Sequence, residues 1–264
     1  MTDTTNDSVQ TTGGAQRTNI LEGDVAIVTG SSRGIGRAIV ERLATDGASV
    51  LVNYVTNDDA ARDVVAAIDA AGGDALAVQG DVSEAGDVEQ LFDEAEAAFG
   101  SVDIVVNAAG TSVCGPIAEF AETDFDRVFD VNAKGTFFVL REAANRITDD
   151  GRIVDLSTVG TVRGDAGVGP YAGSKAASEQ MVTALADELG ERNIRVNTVS
   201  PGVTDTDGLI MSDETVERMV EQTPLGRRGQ ASDVADVVVF LVSNDGRWLT
   251  GQNLRATGGW EIGW

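Results

Sequence analysis

From Asp24 onward the chain alternates short β-branched runs with helical patterns, and this alternation limits the fold more than any other feature. Parallel strands need long crossover connections, usually helices, so a repeated β-α-β order implies a parallel sheet covered on both faces. Candidate strands are Val25–Thr29, Ser49–Tyr54, Ala75–Gln79, Ile104–Asn107, Arg152–Leu156, Arg195–Ser200 and Gln252–Arg255. Several are near-continuous apolar runs, as strands buried on both faces require. Helical periodicity marks Gly34–Asp46, with Ile35, Ile39 and Leu43 on one stripe, and Asp87–Phe99, with Val88, Leu91, Phe92 and Ala95. Asp124–Arg146 and Tyr171–Arg192 are the longest patterns, and Ala231–Ser243 comes last. Together they predict a single α/β domain over residues 21–264, a doubly wound Rossmann-type fold with a seven-stranded parallel sheet and helices on both faces. The segment 203–229, with a short helix at Asp213–Gln222, has no strand or crossover to supply and reads as a lid over a site. Residues 1–20 are polar and carry no apolar run; they read as a disordered tail rather than a secretion signal.

Composition removes whole classes of chemistry. The 264 residues include no histidine and one cysteine, Cys114. Histidine-based triads, histidine general bases, cysteine-rich metal sites and disulfide frameworks are excluded, and no metal site is expected. Acid–base work must fall to Tyr, Lys, Asp or Glu. With 43 acidic against 19 basic residues the formal charge is −24, which argues against a nucleic-acid partner. No apolar run approaches membrane-spanning length, so a cytoplasmic location is expected. Only Lys134 and Lys175 among the basic residues are lysines. So acidic a surface, poor in lysine, fits a salt-loaded cytoplasm where counter-ions relieve self-repulsion; the alternative reading is simply a very soluble acidic protein.

Thr29-Gly30-Ser31-Ser32-Arg33-Gly34-Ile35-Gly36 lies between the first strand and the first helix. In that context glycines serve a phosphate: Gly30 permits a tight turn, Gly34 a close backbone approach, and Gly36 close packing of helix on strand. The helix N-terminus adds free N–H groups and the positive end of a dipole. The second strand ends in Asn53-Tyr54 without the acid that commonly holds the ribose of NAD, while Arg33 is placed to meet a 2′-phosphate. NADP(H) is therefore favoured over NAD(H); Asp58 and Asp59 read as the first turn of the next helix. Further on, Tyr171 and Lys175 stand one helical turn apart in Tyr-Ala-Gly-Ser-Lys. An ammonium there stabilises tyrosinate, and together with a cationic nicotinamide it would lower the phenol's pKa toward neutrality.

These two motifs resemble those of short-chain dehydrogenases/reductases, and the resemblance runs from about Asp24 to Gly259. It implies that Asp81-Val82 contacts adenine and that Asn107-Ala108-Ala109-Gly110 lines the cofactor, with Ala108 replacing an Asn. It further implies that Asn132 is a catalytic residue whose backbone holds a relay water, and that Pro201-Gly202, with Val203 and Thr204, flanks the nicotinamide. The cofactor set expected is thus Gly30, Ser32, Arg33, Gly34, Ile35, Gly36, Tyr54, Asp81, Val82, Asn107 to Gly110, Tyr171, Lys175, and Pro201 to Thr204. The catalytic set is Asn132, Thr158, Tyr171 and Lys175, with Thr158 preferred over Ser157 where the family carries serine.

The activity implied is NADPH-dependent reduction of a carbonyl, with a 3-oxoacyl thioester as first substrate and Tyr171 as proton donor. Val52-Asn53-Tyr54 also resembles the second strand of glucose dehydrogenases, which keeps a sugar or polyol dehydrogenase open. A non-catalytic cofactor sensor is the reading from another class. Relatives are commonly homotetramers built through the two long helices. Lys134 reads as a surface or subunit-contact residue, Cys114 as packing, and Trp260 and Trp264 as a hydrophobic anchor or the edge of an interface or pocket. If the acidic surface is an adaptation to salt, multimolar KCl raises the melting temperature above its low-salt value; an unchanged or lower value refutes that origin.

Overall fold

The computed structural model describes residues 19–206 and 212–260, so Trp264 and the expected tail up to residue 18 lie outside it. In chain order the elements are β1 (Val25–Thr29), α1 (Gly34–Thr45), β2 (Ser49–Tyr54), α2 (Asp58–Ala70), β3 (Ala75–Gln79), α3 (Ala85–Phe99) and β4 (Ile104–Asn107). Then come α4 (Glu122–Phe129), α5 (Thr136–Arg146), β5 (Arg152–Leu156), α6 (Gly169–Glu188), β6 (Arg195–Pro201) and β7 (Thr204–Asp205). The chain closes with α7 (Asp213–Glu221), β8 (Gly229–Gln230), α8 (Ala231–Val242) and β9 (Asn253–Ala256).

Seven strands form one parallel sheet in the order β3-β2-β1-β4-β5-β6-β9. The order reverses between β1 and β4, the crevice where doubly wound sheets bind ligands. Alternate side chains of each strand enter opposite cores, because successive residues face opposite sides of a sheet. Ala26, Val28, Val50 and Val52 pack beneath α1, α2 and α8. Ile27, Leu51, Val105 and Ile153 pack beneath α3, α5 and α6. Burial on both faces is why these strands are apolar throughout.

The structure departs from the periodicity in two places. Asp124–Arg146 is not one helix: a π-helical turn, Asp130–Gly135, separates α4 from α5. Such turns recur at functional sites, and this one contains Asn132. The segment 203–229 carries a two-residue parallel pairing of β7 with β8 on either side of α7, so both ends of that excursion are tied together. No helix among the described residues is long and apolar enough to cross a membrane.

The C-terminus of α8 is closed from across the sheet. Its last carbonyls have no partner within the helix. Arg195 of β6 supplies them: its guanidinium donates to the carbonyl oxygens of Leu241, Ser243 (3.1 Å) and Gly246 (3.0 Å). Arg195→Ala removes the side-chain donor that these carbonyls share, leaving Ser243 and Gly246 only their backbone donors, and should cost about 1–3 kcal/mol. A urea midpoint equal to the parent's would refute this role.

Candidate active site

The glycine loop is shaped by contacts with its own scaffold. Gly30 and Gly34 have φ of +62° and +58°, a region glycine enters without a Cβ penalty. A Cβ on Gly36 would stand 2.4 Å from the carbonyl oxygen of Gly30, and one on Gly30 would stand 2.8 Å from Ala109 Cα. Asn53, buried at the end of β2, holds the turn in place. Its Oδ1 accepts from the Gly30 N–H (2.9 Å), and its Nδ2 donates to the Gly80 carbonyl (2.9 Å). Helical bonding in α1 starts with the Arg37 N–H to the Arg33 carbonyl (3.1 Å), so the first-turn N–H groups lack helical partners. A turn whose glycines leave backbone open at a helix N-terminus fits a pyrophosphate. Ser32 and Ile35 are half-buried in it, and Arg33 is exposed at its rim with no ion pair among the described residues.

Around this loop the expected cofactor residues take several orientations. Tyr54 donates its phenolic hydroxyl to Asp58 (2.7 Å), and Asp58 in turn pairs with Arg62 (2.7 Å). The nearest carboxylate to the β2 tip is thereby engaged within α2. Asp81 turns its Oδ1 back to the N–H (2.9 Å) and hydroxyl (2.8 Å) of Ser83, while Val82 is buried against Gly135. Ala108 and Ala109 donate their N–H groups to Thr29 Oγ1, at 3.1 and 3.0 Å. Pro201 is buried, and Gly202 passes so close to Thr257 that a Cβ would meet its Cα at 3.0 Å. The Thr204 hydroxyl donates to the Gly202 carbonyl (3.1 Å).

The Asn107 side chain does not face the cleft. It joins a buried polar chain through the sheet, accepting from Thr29 Oγ1 (2.8 Å) and donating to Thr136 Oγ1 (2.9 Å) and Asp155 Oδ1 (2.8 Å). Asp155, fully buried in β5, also accepts from Ser178 of α6 (2.8 Å). Thr136 passes the chain on to the Asn132 carbonyl (2.7 Å). The Asn132 side chain is pinned on both atoms: Oδ1 accepts from the Thr111 N–H (2.9 Å), and Nδ2 donates to the Thr111 carbonyl (2.8 Å) and Ser174 Oγ (3.0 Å).

The geometry separates the two adjacent hydroxyls after β5. Ser157 is buried and donates to Glu179 (2.5 Å), whereas Thr158 hydrogen-bonds the Tyr171 phenol. Lys175 is buried, with Nζ 2.6 Å from the Leu156 carbonyl that it bonds. Gly110 makes room for it, since a Cβ there would lie 3.4 Å from Nζ and from Asn132 Oδ1. Asn132, Thr158, Tyr171 and Lys175 thus gather at the C-terminal ends of β4 and β5, beside the glycine loop.

The lowering of the Tyr171 pKa by Lys175 is not found with the chain's own groups. Burial pushes the phenol above its ordinary 10, with the Thr158 hydrogen bond acting against it. Burial likewise pushes Lys175 below 10.5, opposed by the charges of Asp155 and Glu179. Spacing alone misses this because it does not show how dry the site is.

One further expectation is corrected, for Cys114, while Trp260 and Lys134 fall within theirs. Cys114 is not a packing residue; it is exposed on the loop after β4. Trp260 is buried beneath the Arg163 guanidinium, 4.0 Å from its ring centroid, as an internal anchor. Lys134 is exposed and pairs with Asp130 at 3.3 Å. Sequence reasoning passed over Asn53, Asp155, Ser174 and Glu179. Asp155 alone left a signal there, an acid inside the apolar run Ile153-Val154-Asp155-Leu156.

The family model described as enoyl-(acyl carrier protein) reductase matches residues 30–261. The chain is 44% identical over 243 residues to an uncharacterised oxidoreductase of Methylorubrum extorquens, covering 90% of this chain and 98% of that protein. It is 42% identical over 258 residues to elsinochrome reductase 1 of Elsinoe fawcettii, covering 92% and 97%. A short-chain dehydrogenase from Burkholderia cenocepacia, solved in complex with NADP, superposes with a TM-score of 0.88 at 38% identity, covering 92% of this chain and 99% of that one. On this fold, these motifs and these relatives, the chain belongs to the short-chain dehydrogenase/reductase family of oxidoreductases.

Proposed function

We propose that the protein is an NADPH-dependent carbonyl reductase with Asn132, Thr158, Tyr171 and Lys175 as its catalytic residues. One observation carries this reading: the Tyr171 phenol bonds Thr158 while a buried ammonium lies one helical turn further along the same helix. The loop Gly30–Gly36, with Tyr54, Asp81, Val82, Asn107 to Gly110 and Pro201 to Thr204, would hold the dinucleotide. Bound there, NADPH supplies a hydride to the carbonyl carbon. Thr158 and Tyr171 hydrogen-bond the carbonyl oxygen and stabilise the alkoxide as it develops. Tyr171 delivers its phenolic proton to that oxygen. Lys175 stabilises the resulting tyrosinate, and the backbone of Asn132 supports the water that restores the proton. The segment 203–229 acts as the lid.

Arg33 supports a preference for NADPH, since its guanidinium stands at the rim of the loop and Asp58 is engaged by Tyr54 and Arg62. A 3-oxoacyl thioester is the first substrate; the relative named for elsinochrome supports a larger ketone as the second. Assembly as a homotetramer through the long helices is supported by Phe125 and Phe137, apolar side chains left exposed on α4 and α5. Light scattering at four times the chain mass is the expected result, and a monomer would refute it.

NADPH oxidation with 3-oxoacyl thioesters and elsinochrome, set beside NADP+ reduction with hexoses, separates the readings. Turnover of only the hexoses would identify a sugar dehydrogenase, and turnover of nothing a cofactor sensor. In Tyr171→Phe, kcat should fall by about 10²–10⁴-fold, the scale of general acid catalysis. Parent-like turnover in that variant would end the proposal. Arg33→Ala should raise the KM for NADPH about tenfold or more, the loss of one charge-assisted contact, and leave that for NADH unchanged. Equal effects on both would remove the basis for the preference.

A further inference from the structure

Glu179 stands four residues beyond Lys175 on α6, on the same helix face and one turn away. Its Oε1 accepts from Ser157 Oγ (2.5 Å) and lies 2.8 Å from Thr161 Oγ1. Thr161 Oγ1 is also 3.0 Å from the Thr158 carbonyl. One carboxylate therefore grips both sides of the short turn that presents Thr158, and does so from the helix that presents Tyr171 and Lys175. None of these contacts follows from the chemistry proposed above, which would be satisfied by any anchor for that turn.

We propose that Glu179 is a positioning residue, which holds the Thr158 turn against α6 and acts as counter-ion to the buried Lys175 ammonium. The proposal rests on the role assigned to Lys175. An ammonium that is only 4% exposed, bonded to a neutral carbonyl, needs anions nearby to remain charged. The ionisable groups acting on it are Asp155 from β5 and Glu179 from its own helix. Tyr171 stands one turn before it, and the segments over Nζ otherwise present Gly110 and Asn132, which are neutral. Asp155 is engaged by Asn107 and Ser178 within the sheet. Glu179 is the acid that also touches the catalytic turn, so it couples the charge of Lys175 to the placement of Thr158.

The chain's two lysines make a direct test possible. In protein carrying 13C-labelled lysine, the pH titration of the side-chain carbon next to nitrogen yields two signals, from exposed Lys134 and buried Lys175. The parent's Lys175 should titrate below the ordinary 10.5. Glu179→Gln keeps an oxygen acceptor for Ser157 and Thr161 but removes the charge. It should lower the Lys175 midpoint by about one further unit, the scale set by a close opposite charge. Ser157→Ala removes a hydrogen bond without changing charge and should leave the midpoint where it is. Glu179→Asp should restore most of the shift. Circular dichroism confirms that each variant is folded.

Where the parent reduces a ketone, the high-pH limb of its kcat/KM should move to lower pH in Glu179→Gln and stay put in Ser157→Ala. An unmoved Lys175 midpoint in folded Glu179→Gln overturns the proposal. The titration needs no turnover, so a parent that reduces nothing would sink the assigned reaction and leave this result standing on its own.

Discussion

The arrangement depends on a charged amine kept out of water. Lys175 is buried at the end of β5, where desolvation disfavours its charge and a single carbonyl 2.6 Å away satisfies one of its three donors. Two carboxylates oppose that penalty from different elements, one rising from the sheet and one from the helix. Their placement requires α6 to lie tightly on β5, and the Ser178–Asp155 hydrogen bond fastens the two together at that level. The same packing brings Tyr171 to Thr158. The amine proposed for catalysis and a structural constraint are here one and the same.

The buried chain of polar contacts extends that constraint across the sheet. Thr29 belongs to the glycine loop, Asn107 to the next strand, Asp155 to the one after, and Ser178 to α6. Each member is bonded on more than one side, which is the condition under which polar groups can occupy a dry interior without a large cost. Branching through Thr136 to the Asn132 carbonyl ties in the π-helical turn, where the extra residue lets the side chain of Asn132 span the backbone of Thr111.

Much of this was legible from the chain. β-branched runs of five or six residues, separated by helical patterns, leave few alternatives to a parallel sheet, and five of the seven strands begin and end where the pattern says. The glycine loop and the Tyr171–Lys175 pair were legible because short-range geometry dictates both. The braces were not. Asn53, Asp155 and Glu179 hydrogen-bond residues 18 to 48 positions distant, and no local pattern carries that information. Ser157 and Thr158 could not be ranked from the sequence by chemistry, since both offer a hydroxyl; what separates them is the alternation of side-chain direction at a strand end. The burial that raises the Tyr171 pKa among the chain's own groups was not legible for a related reason, because spacing reports neighbours but not solvent.

The glycine loop carries one more implication. Its two left-handed glycines, the contact of Gly36 with the Gly30 carbonyl and the Asn53 bracket are all imposed by the chain itself. A ligand entering such a loop meets a backbone that already has its bound shape, so little of the attraction is lost to organising it. Pre-organisation of that kind moves the adjustable part of recognition outward, to the rim where Arg33 stands, and leaves the floor of the crevice rigid.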